Sequence, residues 1–284
     1  MNRSKTKRKL LLMGRSGAGK TSMRSMIFAN YTANDTVRLL PTIDAETVHL
    51  SFLGNSILNV WDCGGQGGFY DNYFRTMSGT IFQEVSVLIC VLDCQSQGVI
   101  RQGDIDAMVN SVEHLSEKSP TAKVFVMIHK VDMWDSKTDS ERKEEVRMFK
   151  TTIAESLSIK NIKQSLIDQI VYHETTIFNE SLYEAWSNVI HELVPNMPIY
   201  KHRIENFCKE IGADEITLFE KQTYLPFISY TKEQVPKNRK RNEITTEQLK
   251  TMSHITVGAN MTRTNKKKPM NFTLKTKNFH LYLQ

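Results

Sequence analysis

Residues 10–23 read LLLMGRSGAGKTSM. An apolar run breaks into a glycine-rich turn, a lysine and a threonine. Within it, Gly14-Arg15-Ser16-Gly17-Ala18-Gly19-Lys20-Thr21 fits G-x-x-x-x-G-K-[ST]. Glycines let the backbone curl so that successive N–H groups, from Arg15 through Ser16, Gly17, Ala18 and Gly19 to Ser22, point inward at an anion. Lys20 sets a cation against the outer phosphates, and a helix starting there adds the positive end of its dipole. The Thr21 hydroxyl is placed to hold Mg²⁺. The motif needs a strand before it and a helix after it. It predicts a nucleoside triphosphate but does not choose the base, because ATP and GTP carry the same phosphates.

Outward from this loop, apolar runs alternate with amphipathic stretches. KLLLM (9–13), ETVHLSFL (46–53), ILNVWD (57–62), VLICVLD (87–93), KVFVMIHK (123–130) and QIVYHE (169–174) read as strands. The second alternates Val48, Leu50 and Phe52 on one face and reaches the third through a Gly-Asn turn, so those two form a hairpin. The continuous apolar runs suit strands covered on both faces. Ile105, Met108, Val109, Val112 and Leu115 keep a helical period, as do Leu182, Trp186, Val189, Ile190 and Leu193. The alternation predicts an α/β doubly wound, mostly parallel sheet over residues 9–195, after a basic tail at 1–8. VPNMPIY (194–200) has two prolines and reads as a hinge. Beyond it, a helix (Ile204, Phe207, Cys208, Ile211) precedes strands EITLFEK and YLPFISYT. A basic loop follows, then a helix-like stretch at 244–254 and strands near 255–260, 271–276 and 279–283. That order predicts a small α+β domain over 196–284.

Two further motifs follow strand ends. WDCGGQGG (61–68) offers Asp62 to a magnesium ion through water, the Gly65 N–H to a γ-phosphate and the Gln66 amide to an attacking water. Upstream, LLPTIDAE (39–46) carries Thr42, a second hydroxyl for the metal and the γ-phosphate. VMIHKVDMW (126–134) ends the fifth strand with His129-Lys130-Val131-Asp132. A carboxylate there accepts two hydrogen bonds from guanine N1–H and its 2-amino group, donors that adenine lacks. Sites that read donors in this way discriminate by about 10⁴-fold. The Lys130 stem covers the base, and HETTIF (173–178) supplies a third loop with Thr175, Thr176 and Ile177. The base is predicted to be guanine. His129 stands where an asparagine is common, and its imidazole can serve as a hydrogen-bonding substitute.

Composition narrows the class. The chain has 284 residues, 40% hydrophobic and 24% charged, with a net charge of +6, as expected of a globular protein. No apolar run approaches the ~18–20 residues that span a bilayer. Neither a signal peptide nor a lipidation motif is evident, which predicts a cytoplasmic protein. Cys63, Cys90, Cys94 and Cys208 have no metal or disulfide spacing and read as buried thiols. The basic runs at 5–9, 237–241 and 266–268 lack interleaved aromatics, so no nucleic-acid role is expected. They read as solvated loops or as an attraction to an anionic surface.

Taken together, the 10–31 stretch, TID, FLGN…LNVWDCGGQ, NYF, HKVD and ADEITLFE resemble the Rag/Gtr GTPases, specifically the A/B-type subunit. The resemblance covers nearly the whole chain, and the HK-x-D form is that family's own variant. It implies a Ras-like G domain followed by a roadblock-type domain. It also implies a heterodimer with a C/D-type Rag GTPase through that second domain and recruitment to the lysosome or vacuole surface by a Ragulator-like scaffold, so that membrane contact is indirect. The implied output is amino-acid-dependent control of the target-of-rapamycin kinase complex, reset by a GTPase-activating protein. Two stretches depart from the pattern: 134–173 is longer than expected, and the region past 231 is diverged and lysine-rich. Three activities compete at this stage: a slow GTP hydrolase that switches partners, a nucleotide-locked subunit that serves assembly, and an ATP-using P-loop enzyme. Asp132 speaks against the last, and Gln66 with Thr42 favours the first.

Overall fold

The structure, a computed structural model, describes residues 6–40, 42, 46–52, 56–64, 78–194, 196–220, 223–232, 249–250, 272–275 and 280–283. The chain divides into two compact units, Met1–Thr246 and Glu247–Gln284.

The first unit is built on a six-stranded sheet in the order β2-β3-β1-β4-β5-β6. These are β1 (Thr6–Met13), β2 (Glu46–Phe52), β3 (Ser56–Asp62), β4 (Val85–Asp93), β5 (Lys123–His129) and β6 (Val171–Thr175). All neighbours run parallel except β2, which pairs antiparallel with β3 from Glu46↔Asp62 to Phe52↔Ser56. The expected hairpin is therefore present, and its Gly-Asn turn lies outside the described residues. Strand β1 begins earlier than its apolar run. Thr6, Lys7 and Arg8 pair with Ser56, Ile57 and Leu58, and Lys9 donates to the Thr80 carbonyl while lying over the Trp61 ring. A lysine stem can cover apolar surface while its charge stays wet, so a basic sequence need not end a strand.

The period-2 geometry of each strand divides its apolar residues between two cores. Leu11, Met13, Leu88, Cys90, Leu92, Val126 and Ile128 face α4 (Gly98–Lys118) and α5 (Asp139–Ile159). Leu10, Leu12, Leu58, Val60, Ile89, Val91 and Met127 face α1 (Lys20–Phe28) and α7 (Ser181–Leu193), where Trp186 is wholly buried. Each wholly buried leucine contributes about 1.5–3 kcal/mol, which explains why the strands read as unbroken apolar runs. The short helices α2 (Ala33–Thr36), α3 (Ser78–Ile81) and α6 (Gln164–Ile167) complete this part.

Helix α5 accounts for the long stretch after Trp134. It starts at a capping box in which the Thr138 hydroxyl accepts the Glu141 N–H while the Glu141 carboxylate accepts the Thr138 N–H. Between α7 and α8 (Met197–Glu210), Val194 and Met197 are both buried in the α1/α7 core. Of the stretch read as a hinge, Met197–Tyr200 already belong to α8 and Pro195 lies outside the described residues. An antiparallel hairpin, β7 (Glu215–Phe219) and β8 (Pro226–Thr231), packs on α8, with Leu225 and Ile228 in the same core.

In the second unit, β9 (Phe272–Lys275) and β10 (His280–Leu283) pair antiparallel, Phe272 opposite Leu283. The strand expected near 255–260 lies outside the described residues, as does most of the helix expected at 244–254. All four cysteines are buried and none is in a disulfide. Among the described residues, no helix is long and apolar enough to cross a membrane.

Candidate nucleotide site

The carboxyl ends of β1, β3, β4, β5 and β6 all open on one edge of the sheet, so the loops that follow them converge. In a doubly wound sheet this edge is where ligands bind.

The glycine-rich loop leaves β1 at Gly14, whose φ is +149°. A Cβ there would lie 2.3 Å from the Val91 carbonyl oxygen of β4, so only glycine fits. At the other end of the loop Gly19 takes φ +98° as the residue before α1. It leaves the first N–H groups of the helix uncapped by any side chain. Lys20 is 5% exposed, and its ammonium donates to the carbonyls of Gly14 and Arg15 at 2.7 and 3.0 Å. Burial holds its pKa below the usual lysine value. Ser16, Gly17, Gly19, Lys20, Thr21, Ser22, Leu39, Leu40 and Thr42 line a cavity of about 240 Å³, while Ala18 turns into the α1/α7 core. A larger cleft of about 370 Å³ lies at the opposite end of β5, lined by Pro120, Lys123, Asn161 and Lys163 among others. It meets none of the motif residues.

The hydroxyls of Thr21 and Thr42 lie 2.6 Å apart. Next to Thr21, Asp62 is wholly buried at the end of β3, and neither carboxylate oxygen has a well-aligned hydrogen bond. Burial raises its pKa, opposed by the Thr21 hydroxyl and the Arg24 guanidinium, whose Nε stands 3.1 Å from Oδ2. Two hydroxyls beside a buried, under-bonded carboxylate form the hard oxygen set that Mg²⁺ prefers. Among the described residues, no group of three or more His, Cys, Asp or Glu side chains is placed to hold a metal ion. Gly65 and Gln66 lie outside the described residues.

His129, Lys130 and Asp132 stand together after β5. The His129 ring is 2% exposed, and its Nδ1 shares a hydrogen bond with Thr175 Oγ1 at 3.0 Å. Desolvation, helped by the Lys130 charge, lowers its pKa to about 4, so the imidazole is neutral at physiological pH. Lys130 takes φ +66° and donates to Asp93 Oδ2 at 2.7 Å. Thr176 donates to Asp132 Oδ1 at 2.5 Å, and its own N–H donates to Ser181 Oγ at 3.0 Å. Ile177 packs partly against the α1/α7 core, which leaves its backbone for any ligand contact.

Arg15 is the loop residue whose side chain departs from the phosphate side. Its guanidinium pairs with Asp104 at 3.2 Å and donates to Ser96 Oγ at 3.2 Å. Asp93 enters the sequence reading only as the last residue of the fourth strand, and Ser96 and Asp104 not at all, because none of the three belongs to a local motif.

Comparison with known proteins places this geometry. The sequence model of the Gtr1/RagA G protein conserved region matches residues 9–252. The chain is 43% identical to Ras-related GTP-binding protein A of Dictyostelium discoideum over 241 residues, which is 84% of this chain and 74% of that protein. It is 42% identical to GTP-binding protein GTR1 of Saccharomyces cerevisiae over 230 residues, 80% and 70% of the two chains. GTP-binding protein gtr2 of Schizosaccharomyces pombe stands farther off, at 28% over 213 residues, 75% and 64%. A Ras-like six-stranded sheet, a P-loop at the end of its first strand and a family match over most of the length agree: this chain belongs to the Gtr1/RagA family of G proteins.

Proposed function

We propose that this protein is a guanine-nucleotide switch that binds GTP or GDP with Mg²⁺ and hydrolyses GTP slowly on its own. The observation that carries the base assignment is the Asp132 carboxylate, held in place by Thr176 Oγ1 at 2.5 Å. A pre-oriented acceptor pair of this kind rewards guanine and leaves a stranded charge against adenine. Lys20 and the loop N–H groups from Arg15 to Ser22 bind the phosphates. Thr21, Thr42 and, through water, Asp62 would hold Mg²⁺, which when bound neutralises charge on the phosphate oxygens. By their place in the sequence motif, the Gly65 N–H would meet the γ-phosphate and the Gln66 amide would orient the attacking water.

The switch works as one half of a heterodimer. Residues 196–284, read as a roadblock-type domain, join it to a C/D-type Rag GTPase, and the gtr2-type relatives supply the model for that partner. A Ragulator-like scaffold carries the pair to the lysosome or vacuole surface. There its nucleotide state relays amino-acid availability to the target-of-rapamycin kinase complex, and a GTPase-activating protein resets it. Competition of unlabelled GTP and ATP against a fluorescent GDP tests the first step: GTP competes at far lower concentration, and equal competition by ATP rejects the assignment. Single-turnover hydrolysis with and without an activating protein tests the second. A protein that holds GTP through both conditions is an assembly subunit, not a switch. Recovery of a second GTPase in a pull-down from the source cell tests the heterodimer.

A further inference from the structure

Between the phosphate loop and the base motif runs the loop from β4 to α4, residues 94–97, and its contacts reach both sides. Asp93 ends β4, and the parallel register sets it opposite His129. Its carboxylate is fixed by two donors: Oδ1 accepts the Gln95 N–H at 2.9 Å, and Oδ2 accepts the Lys130 ammonium at 2.7 Å. The Asp93 side chain is 7% exposed against 33% for Lys130, so the anion is the built-in partner and the lysine the arm that reaches it. The loop also grips the base motif through its backbone. The Cys94 N–H donates to the His129 carbonyl at 2.9 Å, and the Cys94 thiol donates to the Lys130 carbonyl at 3.0 Å. Arg15 comes no nearer to Asp93 than 4.0 Å and has its own anchors in Ser96 and Asp104. Among the described residues, Lys130 is therefore the one motif side chain that Asp93 holds by a hydrogen bond.

A lysine stem is a poor cover for a base unless its torsions are fixed, because each of its rotors must otherwise be ordered when the ligand arrives. A charge-assisted hydrogen bond from a nearly buried carboxylate fixes the far end of that stem in advance. We propose that Asp93 is a positioning residue for the nucleotide base, acting through Lys130 by holding its stem where it lies against the guanine plane. This rests on the guanine reading above and deepens it. The effect falls on the base, so GDP and GTP feel it alike.

A double-mutant cycle tests the proposal. The release rates of N-methylanthraniloyl-GDP and of the matching GTP analogue are measured on the full chain for the parent, Asp93→Asn, Lys130→Met and the double variant. Asp93→Asn speeds release about 10-fold for both nucleotides, the scale of one lost charge-assisted hydrogen bond. The double variant releases no faster than the faster single variant, because Asp93 works only through Lys130. Release unchanged by Asp93→Asn, or two effects that multiply in the double variant, overturns the proposal. A change in melting temperature with multiplying effects is the signature of a merely structural Asp93. Should Asp93→Asn alone fail to fold, the double variant, which strands no buried charge, is compared with Lys130→Met: equal release supports the proposal and faster release overturns it. The guanine reading fails separately, through ATP competing as well as GTP on the parent, and the same cycle then decides the role of Asp93 with an adenine probe.

Discussion

Gly19 and His129 touch across two loops that lie more than a hundred residues apart in sequence. A Cβ built on Gly19 would stand 2.6 Å from His129 Cδ2 and 2.8 Å from Nε2. The other ring nitrogen meets Thr175. One neutral imidazole thus joins the phosphate loop, the base motif and the third loop. This gives a structural reason for histidine at the head of the motif: its ring is long enough to reach all three.

Gly19→Ala should therefore fail for two reasons that can be separated. A non-glycine residue at φ +98° costs about 1–2 kcal/mol, and forcing a methyl into a buried ring costs a further 1–3 kcal/mol. Thermal unfolding of Gly19→Ala should show the sum. Gly19→Ala combined with His129→Ala should recover the second part, measured against His129→Ala alone. Equal losses in both backgrounds would mean that the ring does not press on the loop.

The His129 environment also sets a pH dependence. In the unfolded chain the imidazole titrates near 6.5, and in the folded protein near 4, chiefly through burial. Between these values the unfolded chain binds a proton that the folded chain refuses, so stability falls as pH drops through that window and is fully present above it. The most this can amount to is ~3 kcal/mol. His173 shifts in the same direction, so the measurement is a difference: urea unfolding of the parent and His129→Asn at pH 7 and pH 5. The parent should lose more stability between the two, and parallel losses would remove His129 as the source.

Asp132→Asn should invert base choice. Thr176 holds one oxygen of Asp132. In the variant that hydroxyl keeps the amide oxygen and turns the NH₂ toward the base. Guanine then presents donors to a donor, at a loss of roughly 2–4 kcal/mol. Xanthosine nucleotides, with a carbonyl at that ring position, should gain. Titration of both nucleotides against the variant checks this, and unchanged GTP affinity would detach 129–132 from base reading.

Hydrolysis should depend on an arginine from another protein. Arg15, the one arginine of the phosphate loop, is committed to Asp104 and Ser96, and Arg38 is exposed. An arginine supplied in trans raises such rates by about 10³–10⁵. Gln66→Leu should keep GTP bound and lose its response to an activating protein, and that variant should hold target-of-rapamycin output on. Arg15→Ala should keep the response. Turnover of several per second by the isolated parent, or loss of response in Arg15→Ala, would place the arginine in cis.

The parts legible in the sequence were those whose chemistry is local. The loop at 14–21 needs glycine where φ is positive, a lysine at its end and a strand before it, all within a dozen residues. The central strands β4 and β5 announced themselves because both faces are covered along nearly their whole length, which leaves almost no polar position to break the run. Helix α5 could also have been found, since Thr138-Asp139-Ser140-Glu141 is a capping box and the apolar period of Val146, Phe149, Ile153 and Leu157 follows it. The extension of β1 into Thr6–Arg8 was not legible, because a basic edge looks the same whether it pairs or not.

The sequence by itself determined the fold class, the phosphate loop and the chemistry able to tell guanine from adenine, because each depends on residue types at short, fixed spacing. Only the tertiary structure decided which loops meet. Gly19 lies under His129, Asp93 holds Lys130 and Arg15 turns to Asp104 because the strand order sets β4 between β1 and β5, with Asp93 in register with His129. Strand order and register arise from the packing of two cores over the whole sheet, and no local spacing encodes them.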